Sequence, residues 1–372
     1  MERWQSTYEH RVRYNLSESG VHPLSVRELL ALGDREMSSV DVHLGYTQSN
    51  GSDRLRAAIA ADYPGATESC VLVTTGGAEA NFAACWHLLE NGGRAAVVVP
   101  TYEQVPGLIE SFGGRIDPVP LVEGQRWQPD LDALGTALDR GARFVLVTNP
   151  NNPTGAVLSP ENVDRIVELT DRYGAWILAD EVYAGAEVDG PRTPSFWGRH
   201  ERVIATNSLS KAWGLPGLRI GWVVAPPEVV ADLWGRTDYT TICPAAVSDA
   251  LACVALDPPV RTRIHERTQR IVRENLGLLE EWMRAQDGRF RYRPPDAGAI
   301  CFTGYGERIG STAFAEKLRV EKDVLVVPGD HFRMDGFVRI GFGIPADDLV
   351  AALALVRQAF DEVARAGPGT LE

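Results

Sequence analysis

The chain has 372 residues, 44% of them hydrophobic and 23% charged, which is more than one simple core accommodates and predicts two domains of an ordinary globular protein rather than a disordered chain. A formal net charge of -13 and a pI near 5.1 argue against nucleic acid or an anionic membrane surface as a partner.

The opening stretch MERWQSTYEHRVRYNL is charged and lacks the apolar run of a signal peptide. No later stretch approaches the length of a membrane span, so a cytoplasmic location is expected. Ser25 to Leu32 has the spacing of a short amphipathic helix. Next, YTQSNGSDRLR at 46 to 56 places a glycine and a serine ahead of a helix marked by Leu55 and Ile59.

From Val71 the pattern becomes regular. VLVT (71–74), AAVVV (95–99), FVLVT (144–148), WILA (176–179), VIATN (203–207) and RIGWVVA (219–225) read as strands. Helical segments lie between most of them; one starts at Ser159 and Pro160 and stops at Gly174. Such alternation predicts an α/β fold with a mostly parallel sheet covered by helices. After Ala225 a long charged helix is expected from Pro258 to about Gln286. AICF, VLVVPG and FVRIGFG then alternate short strands with a terminal helix. The expected domains are a large one over 45–265 and a smaller α/β one made of 1–44 together with 266–372.

In an open α/β sheet ligands bind at strand ends, and polar groups collect at these ends. SLSKAWGLPGLRIGW (208–222) places Lys211, Ser208, Ser210 and Arg219 in a glycine-punctuated turn. A desolvated lysine there can form a Schiff base and act as a base, while the hydroxyls and the guanidinium suit a phosphate. A surface lysine beside a glycine turn is the alternative. Gly76, Gly77 and Ala78 open a helix whose free N–H groups suit a phosphate, or simply form a turn. Tyr102 follows a strand and can stack on a planar ring or pack as an ordinary aromatic.

In NPNNPTG (149–155) two prolines fix the loop that carries Asn152. Asp180 emerges from an apolar strand and needs a cation, for which a protonated pyridine nitrogen would serve; it can otherwise be a helix cap. Tyr183 stands beside it. Arg339, inside FVRIGF, needs an anion: a substrate carboxylate or a structural acid. Five cysteines without metal-type spacing read as reduced, buried thiols, and the seven histidines show no ligand pattern, so no metal is expected.

Taken together, NPNNPTG, DEVY and SLSKAWGLPGLRIG resemble, in order and spacing, the fold-type I pyridoxal phosphate enzymes of the aminotransferase class I and II family. The resemblance extends from Tyr46 to Arg339. It implies Lys211 as the Schiff-base lysine and proton shuttle, Asp180 as partner of the pyridine nitrogen, and Asn152 and Tyr183 as partners of the ring oxygen, with Asn152 also touching the substrate. It further implies a phosphate cup of Gly76, Gly77, Ala78, Ser208, Ser210 and Arg219, Tyr102 as the stacking ring and Arg339 as the carboxylate clamp. Tyr46 would reach the phosphate of a neighbouring subunit, which implies a homodimer with shared sites.

The implied activity is transamination between an L-amino acid and a 2-oxo acid. NLSESGVHPLSVRELL (15–30), DYTTICPAAVSDALA (238–252) and PGDHFRMDGFVRIGFG (328–343) are similar to the capreomycidine synthase-like branch, which implies a second activity, elimination and cyclisation of a hydroxylated arginine. A β-lyase is a further variant. In that branch Glu18 would face a guanidinium; read alone it is a solvated acid. A catalytically silent regulator with the same fold is disfavoured because both Lys211 and Asp180 are present.

Overall fold

The computed structural model describes residues 1–90, 92–306 and 309–366; positions 307, 308 and 367–372 of the expected small domain lie outside the described residues. The chain is α/β, with the mostly parallel, helix-covered sheet that the sequence predicts. Its eight-stranded sheet runs in the order Val71–Thr74, Gly221–Val224, Val203–Ser208, Trp176–Asp180, Ala142–Thr148, Arg94–Val99, Arg115–Val122, Gln128–Pro129. Five consecutive strands of it, Val203–Ser208 to Arg115–Val122, pair parallel. Gly221–Val224 runs antiparallel to both its neighbours, and Gln128–Pro129 antiparallel to Arg115–Val122.

The apolar strands are buried on both faces because the side chains alternate between two cores. Val73, Val98, Val145, Val147, Ile177 and Ala205 join one cluster. Leu72, Val97, Leu146, Leu178, Ile204 and Val223 join the other. That period of two is why these strands read as continuous apolar runs.

Local signals place the covering helices as the sequence predicts. Pro160–Tyr173 is capped by the Ser159 hydroxyl, which accepts from the Asn162 N–H, and ends at Gly174 in the left-handed region at φ 62°. The strand Arg115–Val122 is not apparent in the sequence because Pro118 and Pro120 interrupt it. It lies near the sheet edge, where the outer neighbour pairs only with Leu121 and Val122, so missing N–H groups are tolerated. The expected strand at 219–225 is shorter, Gly221–Val224, because Arg219 adopts a left-handed conformation at φ 51°.

The second body has its own core around a four-stranded antiparallel sheet in the order Phe290–Arg291, Ile300–Tyr305, Phe337–Gly341, Val327–Pro328. Tyr14–Asn15 pairs in parallel with Val324–Leu325, so Tyr14 and Leu16 pack in this core. Leu29 and Leu30 pack with the large sheet instead. The helix Pro258–Arg284 joins the two bodies: Val260 and Ile264 belong to the first core, and Ile271, Leu276, Leu279 and Met283 to the second. Between the bodies lies a cleft of about 330 Å³ at the carboxyl ends of the parallel strands. No helix among the described residues is long and apolar enough to cross a membrane.

Candidate active site

Apart from Gly76 and Tyr46, every candidate residue lines this one cleft. Asp180 is the last residue of the Trp176–Asp180 strand and is buried. Its Oδ2 accepts from Asn81 Nδ2 at 3.0 Å and its Oδ1 from the Val182 N–H at 3.3 Å. Asn81 is oriented by Thr206, whose hydroxyl donates to Asn81 Oδ1 at 2.8 Å. Burial raises the Asp180 carboxyl above its ordinary range, with Asn81, Val182 and Lys211 pulling the other way. A buried carboxylate with so few donors favours a cation beside it.

The Gly76–Leu88 helix begins without a side-chain cap, which leaves its N-terminal N–H groups facing the cleft at Gly77 and Ala78. Gly76 sits behind them at φ 78°, and a Cβ there would stand 2.3 Å from Arg219 Nη2. The absence of a side chain therefore lets the guanidinium rest on the helix start. Arg219 Nη1 is held by the Pro216 carbonyl at 3.1 Å, and the Ser210 hydroxyl lies 3.4 Å away. Ser208 is buried in the strand end beneath. Helix N–H groups, hydroxyls and a guanidinium converge here as a phosphate requires.

Asn151 closes the NPNNPTG loop on itself: its Oδ1 accepts from the Thr154 N–H and hydroxyl, and its Nδ2 donates to the Pro100 carbonyl. Asn152 is thereby free to point into the cleft, where its Oδ1 accepts from Arg339 Nη1 at 2.8 Å. Arg339 is 1% exposed. Its Nη2 donates to the Ser17 carbonyl, and its Nε is buried with no partner. An unpaired donor on a buried guanidinium is costly unless a ligand accepts from it.

Lys211 Nζ lies 2.7 Å from Glu18 Oε1. The same oxygen accepts from the N–H groups of Ser19 at 2.8 Å and Gly20 at 3.1 Å. Burial opposes ionisation of Glu18, yet the Lys211 charge and these hydrogen bonds bring its carboxyl down to about 2. Burial would also lower the lysine; Glu18, with Tyr183, outweighs it and the pKa is raised. The solvated-acid alternative for Glu18 thus gives way to a charge pair inside the cleft. Tyr183 is buried and donates to the Ser19 hydroxyl at 2.9 Å. Burial raises the Tyr102 hydroxyl, with Glu2 acting in the same direction.

Tyr46 does not join the cleft of its own chain: it is 89% exposed. Residues that sequence reasoning missed include Asn81, Glu2, Gln5, Glu9 and Ser19, all on the cleft wall. Asn81 had a signal, a lone amide among Ala80, Ala83, Ala84 and Cys85 of a buried helix face. The others are on the N-terminal segment, whose position depends on the last strands of the chain.

The residues fit pyridoxal phosphate. The anion cradle at Gly77, Ala78, Ser208, Ser210 and Arg219 would hold the phosphate, Asp180 the ring nitrogen, Tyr102 the ring face, and Lys211 the carbonyl carbon. Among the described residues no cluster of histidine, cysteine or carboxylates could hold a metal ion.

Comparison with known proteins agrees with pyridoxal phosphate as the cofactor. The family model described as aminotransferase class I and II matches residues 27–355. Capreomycidine synthase of Streptomyces vinaceus is 32% identical, over 98% of this chain and 94% of that one. A solved pyridoxal phosphate-dependent aminotransferase from Streptococcus suis 89-1591 superimposes with a TM-score of 0.90 at 30% identity, covering 97% of both chains. The pyridoxal phosphate-dependent cyclase OrfR superimposes with a TM-score of 0.88 at 28% identity, covering 97% of this chain and 96% of its own.

Proposed function

The chain belongs to the aminotransferase class I and II family, and on that premise we propose that this pyridoxal phosphate-dependent enzyme takes a free L-amino acid with a cationic side chain, expels its β-hydroxyl as water and closes a ring. A hydroxylated arginine is the substrate that fits this description. One observation carries the reading. Residues 1–26, outside the family match, supply Glu2, Gln5, Glu9, Glu18 and Ser19 to the cleft. The match to capreomycidine synthase covers 98% of the chain, so most of that segment lies within it. With Glu18 paired to Lys211, the carboxylates of Glu2 and Glu9 on the same cleft wall suit an amino acid with its own carboxylate at Arg339 and a positive charge at its far end.

Bound pyridoxal phosphate supplies an electron-accepting ring conjugated to the substrate Cα. The chain's own groups do the rest. Arg339 Nε, the unpaired donor, binds the substrate carboxylate and orients Cα. Lys211 Nζ takes the Cα proton as a general base, and Asp180 keeps a positive charge on the ring nitrogen. Loss of water breaks the Cβ–O bond with one proton delivered to the leaving oxygen. A guanidine nitrogen then forms the Cβ–N bond and releases its proton, and Cα is reprotonated.

Transamination is the second reading, favoured by the Streptococcus suis aminotransferase that superimposes over 97% of the chain. The carboxylates of the cleft support placing elimination and cyclisation first, where the sequence alone put transamination first. A dicarboxylic 2-oxo acid would bring its far carboxylate against Glu2 and Glu9, so an amino acceptor would be a monocarboxylic one. We also infer a cytoplasmic homodimer, in which the exposed Met37, Leu44, Tyr46, Tyr239 and Ile242 would be covered by the partner chain.

The test is to load the protein with pyridoxal phosphate and incubate it with arginine, 3-hydroxyarginine, and neutral and acidic amino acids, with and without pyruvate or 2-oxoglutarate. A product one water lighter, formed without a 2-oxo acid, supports the first reading. Amino transfer that needs pyruvate supports the second. A protein that stays colourless with the cofactor, or whose Lys211→Ala variant still links it covalently, would sink both.

A further inference from the structure

The Lys211–Glu18 pair joins the two bodies of the molecule. Lys211 follows a strand of the large sheet, whereas Glu18 belongs to a segment fastened to the small one. The Gly341 N–H donates to the Leu16 carbonyl and the His22 N–H to the Gly343 carbonyl, both at 2.7 Å. The backbones are pressed together so closely that a Cβ at Gly341 would stand 1.9 Å from the Glu18 carbonyl oxygen, and one at Gly343 2.1 Å from that of Gly20. Residues 17–20 are therefore seated on the strand that carries Arg339.

This short segment touches three groups of the site in succession. The Ser17 carbonyl accepts from Arg339, Glu18 Oε1 from Lys211, and the Ser19 hydroxyl from Tyr183. On the other side Gly20 lies against the lysine's own backbone, with its virtual Cβ 3.4 Å from Lys211 Cα. The carboxylate is fixed by two N–H groups of its own loop, so it is preorganised and does not have to be ordered by the lysine.

We propose that Glu18 is a positioning residue for Lys211: it holds the lysine nitrogen in place whenever that nitrogen is not joined to the cofactor, and it links the seating of a substrate carboxylate at Arg339 to the placement of the base. The inference rests on the functional reading above for its second half only. The first concerns the cofactor-free chain. Once a substrate amine has taken its place, Lys211 must be a neutral amine to accept the Cα proton; its N–H can still donate to Glu18, which holds the nitrogen in place before and after that transfer. Tyr183, Asp180 and Arg339 are the other ionisable groups that act on the lysine or are acted on by it.

The first measurement uses the cofactor-free protein, wild type and Glu18→Gln. Lys211 is labelled competitively with acetic anhydride across pH and read by mass spectrometry of its peptide. Loss of Glu18 is expected to raise the labelling rate of Lys211 at pH 8 at least about tenfold, a shift of one unit in its apparent pKa. Equal rates in the two proteins overturn the proposal whatever the enzyme's reaction is.

The second measurement uses the pyridoxal phosphate-loaded protein with a bound amino acid in D2O. In Glu18→Gln the exchange of the Cα proton at saturation is expected to fall about tenfold or more, with affinity, read from the visible spectrum, changed less than about threefold. Loss of affinity for cationic amino acids alone, with exchange at saturation unchanged, makes Glu18 a substrate contact and overturns the positioning role. Gly343→Ala, which displaces the loop from behind, is expected to reproduce the slower exchange with Glu18 intact. Unchanged exchange in a Gly343→Ala protein that melts like wild type also overturns it.

Discussion

Asn81 Nδ2 donates to Asp180 Oδ2 at 3.0 Å from a helix 99 residues earlier in the chain. The carboxylate proposed to face the cofactor's ring nitrogen is thus held by an amide that is itself held by Thr206. Asn81→Ala removes a hydrogen bond to a buried charge, which contributes about 1.5–3 kcal/mol. Pyridoxal phosphate affinity, measured by fluorescence titration, is expected to fall roughly 10- to 100-fold. An unchanged affinity would show that Asp180 needs no such support.

Gly76→Ala tests the anion cradle. The new Cβ would meet the Arg219 guanidinium at 2.3 Å in a backbone conformation with φ 78°, and the left-handed conformation alone costs about 1–2 kcal/mol for a residue with a side chain. Weaker binding of the cofactor is expected, together with a melting temperature lower by roughly a few degrees. Inorganic phosphate should protect the variant less than it protects the wild type. Equal protection would place the phosphate elsewhere.

Arg339→Lys keeps the charge and loses the fork. Lysine has no planar set of donors that could reach Asn152, Ser17 and a substrate carboxylate together. KM for the amino acid is expected to rise by about 30-fold or more, on the scale of one charge-assisted hydrogen bond, with a smaller change in kcat. A variant with unaltered KM would remove Arg339 from substrate binding.

Glu181 is buried, accepts from the Ser195 hydroxyl and the Phe196 N–H at 2.9 Å each, and is pushed up to about 7 by burial, against those bonds and the Arg192 charge. The unfolded chain gives up this proton near 4.5, so between about 4.5 and 7 the native state binds more protons than the unfolded one. Stability therefore falls as pH rises through that window and levels off above it. The difference in urea midpoint between wild type and Glu181→Gln is expected to move against the wild type from pH 5 to pH 7.5. A flat or opposite difference would mean that Glu181 is ionised throughout.

How much of this was legible in the sequence depended on how local each feature is. The apolar strands, the Ser159 cap, the Gly174 stop and the polar strand ends of SLSK, DEVY and NPNNPTG are written in neighbouring residues, and the cleft brings those ends together. Arg115–Val122 was hidden because two prolines deny a strand unless its place near a sheet edge is known. Glu18 read as a solvated acid because Lys211 is 193 residues away, and no periodicity encodes such a pairing. For Tyr46 the sequence expectation concerns a neighbouring subunit, and within one chain the ring is simply exposed.

The seating of residues 14–22 against residues 323–343 also bears on biosynthesis. The strands of the large sheet lie between Val71 and Val224, so the phosphate cradle, Asp180 and Lys211 can come together while the ribosome is still making the rest. Tyr14–Asn15 and Leu16, by contrast, have their backbone partners some 300 residues later, in Val324–Leu325 and Gly341. Contacts this far apart in sequence form late and slowly. A nascent chain halted before Phe337 would hold Asp180 and Lys211 without Arg339 and without the strand on which Leu16 is seated, so the proposed cofactor pocket would precede the proposed carboxylate clamp.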